Sequence, residues 1–157
     1  MHTSPINIRP ANTNDKTFII SLIPRLTEFG PPAWRNGQEM TDTDSRILAD
    51  RLLNDYPDTV IFIAEDERNI PVGFIHIQPG NDFYNKEKHA HISDVIVAPG
   101  TEGRGIGRLL MNKAEEWARE REFRWLTLSV FAQNTRAREL YKNIGYGEDI
   151  IKCVKEL

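Results

Sequence analysis

The sequence predicts a mixed α/β fold, with a mixed sheet carrying helices on its faces. Three observations point there. Short runs alternate apolar and polar residues with a period of two. Other stretches repeat apolar residues at three- and four-residue spacing. The two patterns follow one another in the order β-α-α-β-β-β-α-β-α-β, which puts three strands in a row and so departs from a doubly wound parallel sheet.

The elements fall along the chain as follows. "INIRPA" (6–11) is a short first strand. Residues 12–29 read as helix, with Phe18, Ile19, Leu22, Ile23 and Leu26 at helical spacing. Pro24 lacks the N–H that a helix interior needs, so a kink or break is expected there. "FGPPAWRNGQEM" (29–40) is a Gly- and Pro-rich loop. A second helix over 44–56 carries Ile47, Leu48, Arg51 and Leu52 on one face, with Asp42 or Thr43 as its cap. "TVIFIAEDE" (59–67) and "IPVGFIHIQPG" (70–80) form an antiparallel hairpin. After the loop 81–88, "HAHISDVIV" (89–97) alternates as a strand. A third helix spans 105–121, with Ile106, Leu109, Leu110, Ala114, Trp117 and Ala118 on one face. "WLTLSVF" (125–131) is a strand, and 134–145 is a short helix ended by Gly145. "DIIKCVKE" (149–156) reads as a last strand.

A chain of 157 residues is the size of one domain with one core, taken here as 1–157. With 39% hydrophobic and 27% charged residues the composition is that of a globular protein. No apolar run approaches the ~20 residues of a membrane span. The N-terminus lacks a basic start followed by an apolar stretch, and Cys153 is the only cysteine, so no internal disulfide can form. Cytoplasm is the expected compartment. The net charge of −3 is unevenly spread. Residues 1–78 hold 11 acids against 7 bases, whereas 101–142 hold 9 bases against 6 acids. A phosphate-bearing ligand suits the second half and a cationic substrate the first. No dense basic stripe or zinc-ligand spacing appears, so neither nucleic acid nor a metal is expected.

The stretch "VAPGTEGRGIGRLL" (97–110) joins a strand to a helix through glycines and arginines. Bare backbone at a helix N-terminus lets N–H groups approach an anion. The dinucleotide fingerprint G-x-G-x-x-G fails, because Arg108 stands at its last glycine. The mononucleotide loop also fails, because Ile106 and Gly107 replace its Lys and Ser/Thr. What remains is Glu102-Gly103-Arg104-Gly105-Ile106-Gly107, which resembles the pyrophosphate loop R/Q-x-x-G-x-G/A of the GNAT acetyltransferase superfamily. A second segment strengthens the resemblance. "NTRARELYKNIGY" (134–146) is similar to N-x-x-A-x-x-L-Y-x-x-x-G-F/Y of that superfamily, through Asn134, Ala137, Leu140, Tyr141, Gly145 and Tyr146. The likeness covers roughly 60–147, and earlier residues match in element order only. One position departs: Glu102 stands where Arg or Gln is usual. It is expected to face solvent or pair with an Arg, while Arg104 and Arg108 supply phosphate contacts.

The resemblance implies the GNAT fold and acetyl transfer from acetyl-CoA to an amine by direct attack, with no metal. It implies that Val95, Ile96 and Val97 offer backbone groups to the pantetheine arm. Backbone of Glu102, Gly103, Arg104, Gly105, Ile106, Gly107 and Arg108 would hold the pyrophosphate. Asn134 and Ala137 would adjoin the cofactor, Asn134 also capping its helix. Tyr141 matches the general acid that protonates the leaving sulfur. For the base, His89, His91, Ser93, Val95 and Val97 share one strand face by period two, with Asp94 on the other. His91 is the first candidate, because an unperturbed histidine titrates near neutrality, with Asp94 and His89 as the alternatives. Phe29, Trp34, Phe83 and Tyr84 lie in the loops that border the acceptor cleft in such proteins, with Glu28, Glu39, Asp42 and Asp82 nearby. Aromatic faces with carboxylates suit a small cationic amine; a polyamine, amino acid, aminoglycoside or protein N-terminus fits. The alternatives are an enzyme acting on a protein N-terminus or lysine, a non-catalytic coenzyme A sensor, and a nucleotide-phosphate protein of another α/β type. A homodimer is common among such proteins, and the sequence does not decide it.

Overall fold

The computed structural model describes residues 5–157. Five strands form one sheet in the order β1-β2-β3-β4-β5: β1 Asn7–Pro10, β2 Val60–Glu65, β3 Pro71–Asn81, β4 Lys88–Val97 and β5 Leu126–Leu128. The first four pair antiparallel, and β5 joins β4 in parallel. Such a pair needs a crossover. The helix α3, Ile106–Glu120, supplies it.

Each face of the sheet buries its own cluster. Phe62, Ala64, Ile75, Ile77, Ala90 and Ile92 meet α3 through Ile106, Leu110, Met111, Ala114, Trp117 and Ala118. The opposite face brings Ile61, Ile63, Phe74 and Ile96 against α1 (Lys16–Leu22) and α2 (Gly37–Leu53) through Ile19, Leu22 and Leu48. Gly73 lets α3 approach closely: a Cβ there would lie 3.0 Å from the Ile96 carbonyl oxygen and 3.3 Å from Ile106. A last helix, α4 (Thr135–Asn143), lays Tyr141 against the α3-side cluster.

Several boundaries differ from expectation. The first helical stretch breaks into a 3-10 turn at Thr13–Asp15, α1, and a second 3-10 turn at Ile23–Thr27 with Pro24 in its opening positions. A proline is accommodated at such a start, where its missing N–H has no partner to lose. The next helix begins seven residues before the expected 44, at Gly37, because the Asn36 side chain accepts hydrogen bonds from the N–H groups of Gln38 and Glu39. Asn36, not Asp42 or Thr43, is the cap. The expected strand over 149–156 does not form: residues 147–157 have no regular structure, and Ile150, Ile151 and Val154 are largely exposed. A run of strand-favouring residues becomes a strand only where it packs against a partner. β5 likewise shrinks to three residues of the seven expected.

The edge strand β1 is fixed by charge. Arg9 donates both terminal N–H groups to Asp15 at 2.8 Å and pairs through Nε with Glu65 at 2.9 Å. Both acids are more than nine-tenths buried. Asp15 also accepts from the Asn12 N–H. The Arg9 guanidinium holds the Asp15 carboxyl below its ordinary range.

Two stability outcomes are expected. Leu110→Ala opens a cavity beneath α3 and should cost about 3 kcal/mol in urea unfolding. Arg9→Met leaves two buried carboxylates uncompensated, a loss of about 3 kcal/mol at neutral pH. A depressed carboxyl stabilises above its free-chain pKa and loses that contribution as pH falls through its folded value, so the Arg9→Met deficit should shrink in acid.

Candidate active site

β4 and β5 pair only over Ala90–Leu126, His91–Thr127 and Ile92–Leu128. Beyond these three residues the strands part. A bulge helps to set the place: His76 on β3 faces Asp94, but the next residue, Ile77, faces Ile92, leaving Ser93 extra. A bulge bends its strand and steepens its twist. The edge of β4 turned away from β3 is therefore unpaired from Ser93 onward. It lines a cleft of about 380 Å³ with Leu128–Phe131 opposite. Arg25, Leu26, Phe29, Met40, Asp44, Asn134, Ala137 and Tyr141 complete the walls.

The bulge corrects the period-two assignment. Val95 and Val97 pack on the α3 face, with Ala90 and Ile92. Asp94 pairs across with His76 and lies on the α1–α2 face, as does Ile96. His91 faces Gln78, two residues from His76, and Ser93 bonds to Gln78. Asp94 thus shares a face with His91 rather than opposing it, and Val95 and Val97 leave that face. An extra residue shifts every later side chain by one step, which spacing alone does not reveal.

At one end of the cleft stands the glycine loop. Gly100, Gly103 and Gly105 take φ of +78°, +78° and +73°, and a Cβ at any of them would meet nothing within 4 Å. Tight packing therefore does not explain these glycines; the left-handed backbone does. Gly105 precedes α3 with no side chain capping the helix. The first N–H groups of α3 are thus left for an anion. Glu102 does pair with an arginine: Arg25 donates to it at 3.2 Å. Local backbone N–H groups and Arg25 hold its carboxyl below the ordinary range. Arg104 lies 3.9 Å from Glu67, and Arg108 is exposed with no ion pair among the described residues.

Other expected residues divide. Asn134 caps its helix, its side chain accepting from the Ala137 N–H at 3.2 Å, and it also lines the cleft. Tyr141 lines the cleft, and burial pushes its hydroxyl pKa up. His91 does not reach the lining. Its Nδ1 lies 2.7 Å from the Thr127 hydroxyl, and burial first, then the nearby His89, hold it below its usual pKa. Phe29 borders the cleft. Trp34 does not; it lies under Arg35, which also reaches Phe131. Phe83 and Tyr84 sit exposed in the β3–β4 turn, away from the cleft, where Asp82 accepts from the N–H groups of Tyr84 and Asn85. Sequence reasoning passed over Arg25, Met40, Asp44 and His76. Met40, Asp44 and Leu48 recur every four residues along α2, and that signal was present. No group of three His, Cys, Asp or Glu side chains among the described residues could hold a metal.

A parallel strand pair forced open beside a glycine cradle is the framework of an acetyl-transferring enzyme. The chain belongs to the acetyltransferase (GNAT) family, whose sequence profile matches residues 25–146. It is 30% identical over 144 residues to the uncharacterized N-acetyltransferase YhfO of Bacillus subtilis (strain 168), spanning 92% of this chain and 91% of that protein. It is 29% identical over 99 residues to the peptidyl-lysine N-acetyltransferase YjaB of Escherichia coli (strain K12), 63% of this chain and 57% of that one. The aminoglycoside N-acetyltransferase AAC(6')-Iy, in complex with CoA, shares the fold. Its TM-score is 0.71 at 18% identity, across 98% of this chain and 97% of that one.

Glu102 sets up one outcome. Glu102→Gln removes a negative charge beside the cradle and frees Arg25, so coenzyme A binding by calorimetry should tighten a few-fold, more so at low salt.

Proposed function

We propose that the protein moves the acetyl group of acetyl-CoA to a primary amine by direct attack, and that the acceptor is a small cationic amine. The observation that carries this is the presence of Tyr141 and Asp94 on one cleft, beside an unpaired strand edge and a glycine cradle. The residues fit the cofactor. Left-handed glycines and free α3 N–H groups suit a pyrophosphate. The open edge of β4 along Val95, Ile96 and Val97, the edge turned away from β3, suits an amide-bearing arm. Asn134 and Ala137 adjoin it.

Acetyl-CoA supplies the activated thioester. Asp94 faces the incoming amine and attracts it as a cation. Once the amine is neutral, its nitrogen forms the new bond to the carbonyl carbon and the carbon–sulfur bond breaks. Tyr141 gives its proton to the departing sulfur and regains one from the nitrogen. A raised hydroxyl pKa keeps that proton in place until the sulfur develops charge. His91, tied to Thr127 outside the lining, is the weaker candidate for the base. Phe29 and the acidic first half of the chain favour a cation over an anion as acceptor. Phe83, Tyr84 and Trp34 are not among the residues that line the cleft.

The test is thiol release from acetyl-CoA across polyamines, amino acids, aminoglycosides and short peptides. One amine class should stimulate release. Tyr141→Phe should lower kcat about 100-fold with little change in coenzyme A affinity. Equal turnover in the variant would remove Tyr141 from the acid role. Stimulation by peptides alone would replace the small acceptor with a protein.

A further inference from the structure

We propose that Asp44 of α2 takes the first proton from the acceptor's ammonium, while Asp94, fixed by the buried His76, is the carboxylate against which that ammonium docks. This rests on the acetyl-transfer reading and extends it to the acceptor side.

Placement comes first. α2 presents Met40, Asp44 and Leu48 along one line; Leu48 is fully buried against the sheet, and Met40 and Asp44 line the cleft. Leu48 thus anchors the helix one turn beyond Asp44 and fixes where its carboxylate stands. Asp44 has no hydrogen-bond or ion-pair partner among the described residues, although it is half-buried. It shares the cleft with Asp94 and Tyr141, so an amine between them meets proton acceptor, docking charge and acid together.

The second element is the pair beneath. His76 is fully buried on β3, and its Nδ1 lies 3.0 Å from Asp94 Oδ2. Its Nε2 is buried and without a partner among the described residues. In so buried a place the low dielectric strengthens the remaining contact, to Asp94. One oxygen of Asp94 is thereby engaged, and the other is left for the cleft. His76 is a positioning residue.

The protons balance. The ammonium gives one proton to the Asp44 carboxylate and becomes the neutral nucleophile. The nitrogen's second proton replaces the one that Tyr141 gives to sulfur. Asp44 returns its proton to solvent, so each turnover releases amide, thiol and one proton. A carboxylate suits this work when its pKa is lifted toward neutrality. Burial, then the charge of Asp94, push Asp44 up to about 6, with His76 opposing. Arg25 from the second 3-10 turn and Tyr141 from α4 face the same space, and His91 lies beyond Asp94 on β4.

The experiment compares wild type, Asp44→Asn, Asp44→Glu, Asp94→Asn and His76→Gln. Spermidine is the amine probe. Wild-type kcat/KM should fall on the acid side with an apparent pKa near 6. Asp44→Asn should lose about 100-fold in kcat/KM and lose that limb, and Asp44→Glu should recover part of both. Asp94→Asn and His76→Gln should raise the amine KM more than they lower kcat. Coenzyme A affinity should stay within about twofold throughout, which separates this idea from failure of the acetyl-transfer reading. Two readouts need no turnover. Spermidine binding to the coenzyme A complex should weaken at least tenfold in Asp94→Asn and less in Asp44→Asn. Asp44 binds its proton more tightly folded than unfolded, so its protonation stabilises in acid and that gain is lost as pH rises from about 4 to 6. Asp44→Asn should accordingly raise Tm relative to wild type at pH 8 and not at pH 4. An unchanged acid limb in Asp44→Asn, or equal spermidine affinity in Asp94→Asn and wild type, would overturn the proposal.

Discussion

Three residues of parallel pairing between β4 and β5 determine where this protein can do chemistry. Were the ladder to continue past Ile92 and Leu128, the strand edge that lines the cleft would be used up in hydrogen bonds, and no space would open. The extra residue at Ser93 ends the regular course of β4 at that point. The same bulge turns Asp94 toward His76 and α2 and sends Val95 and Val97 to the other face. One inserted residue therefore separates the strands and selects which side chains face each half of the opening.

Charge is arranged around that opening in two regions. At the glycine loop, free backbone N–H groups meet Arg25 and the carboxylate of Glu102. Over the α1–α2 face, Asp44 and Asp94 confront each other above a buried histidine. Like charges in a poorly solvated space raise one another's affinity for protons or for a cation. The Arg9 network, by contrast, is fully paired and far less responsive; it holds β1 to the sheet.

Much of this was legible beforehand. Both motifs, the strand-loop-helix around Gly105 and the helix bearing Tyr141, follow from residue type and spacing and lie where expected. The boundary of α2 was not legible from periodicity, because Asn36 caps a polar first turn that carries no apolar repeat. The final strand does not form, since Ile150, Ile151 and Val154 favour extended backbone but pair with no strand among the described residues. The bulge was invisible because it leaves composition untouched and alters only parity, and this misplaced Asp94 relative to His91. The aromatics Phe83 and Tyr84 sat in a loop of the right order in the chain but at the wrong end of β4. Distance along the sequence does not report which end of a strand a turn occupies.

Gly30 carries a consequence of another kind. Its φ is +92°, and a Cβ there would come within 2.9 Å of the Phe131 Cβ and 3.1 Å of the Asn134 backbone nitrogen. The loop leading to α2 thus rests directly on the chain that starts α4. The two walls of the cleft, the loop that carries Phe29 and the chain from Phe131 to Asn134, meet at this bare backbone contact. A hinge cannot operate there without separating both. Any change in the width of the cleft must come from side chains and from the outer half of the loop, while its inner half serves as a fixed abutment.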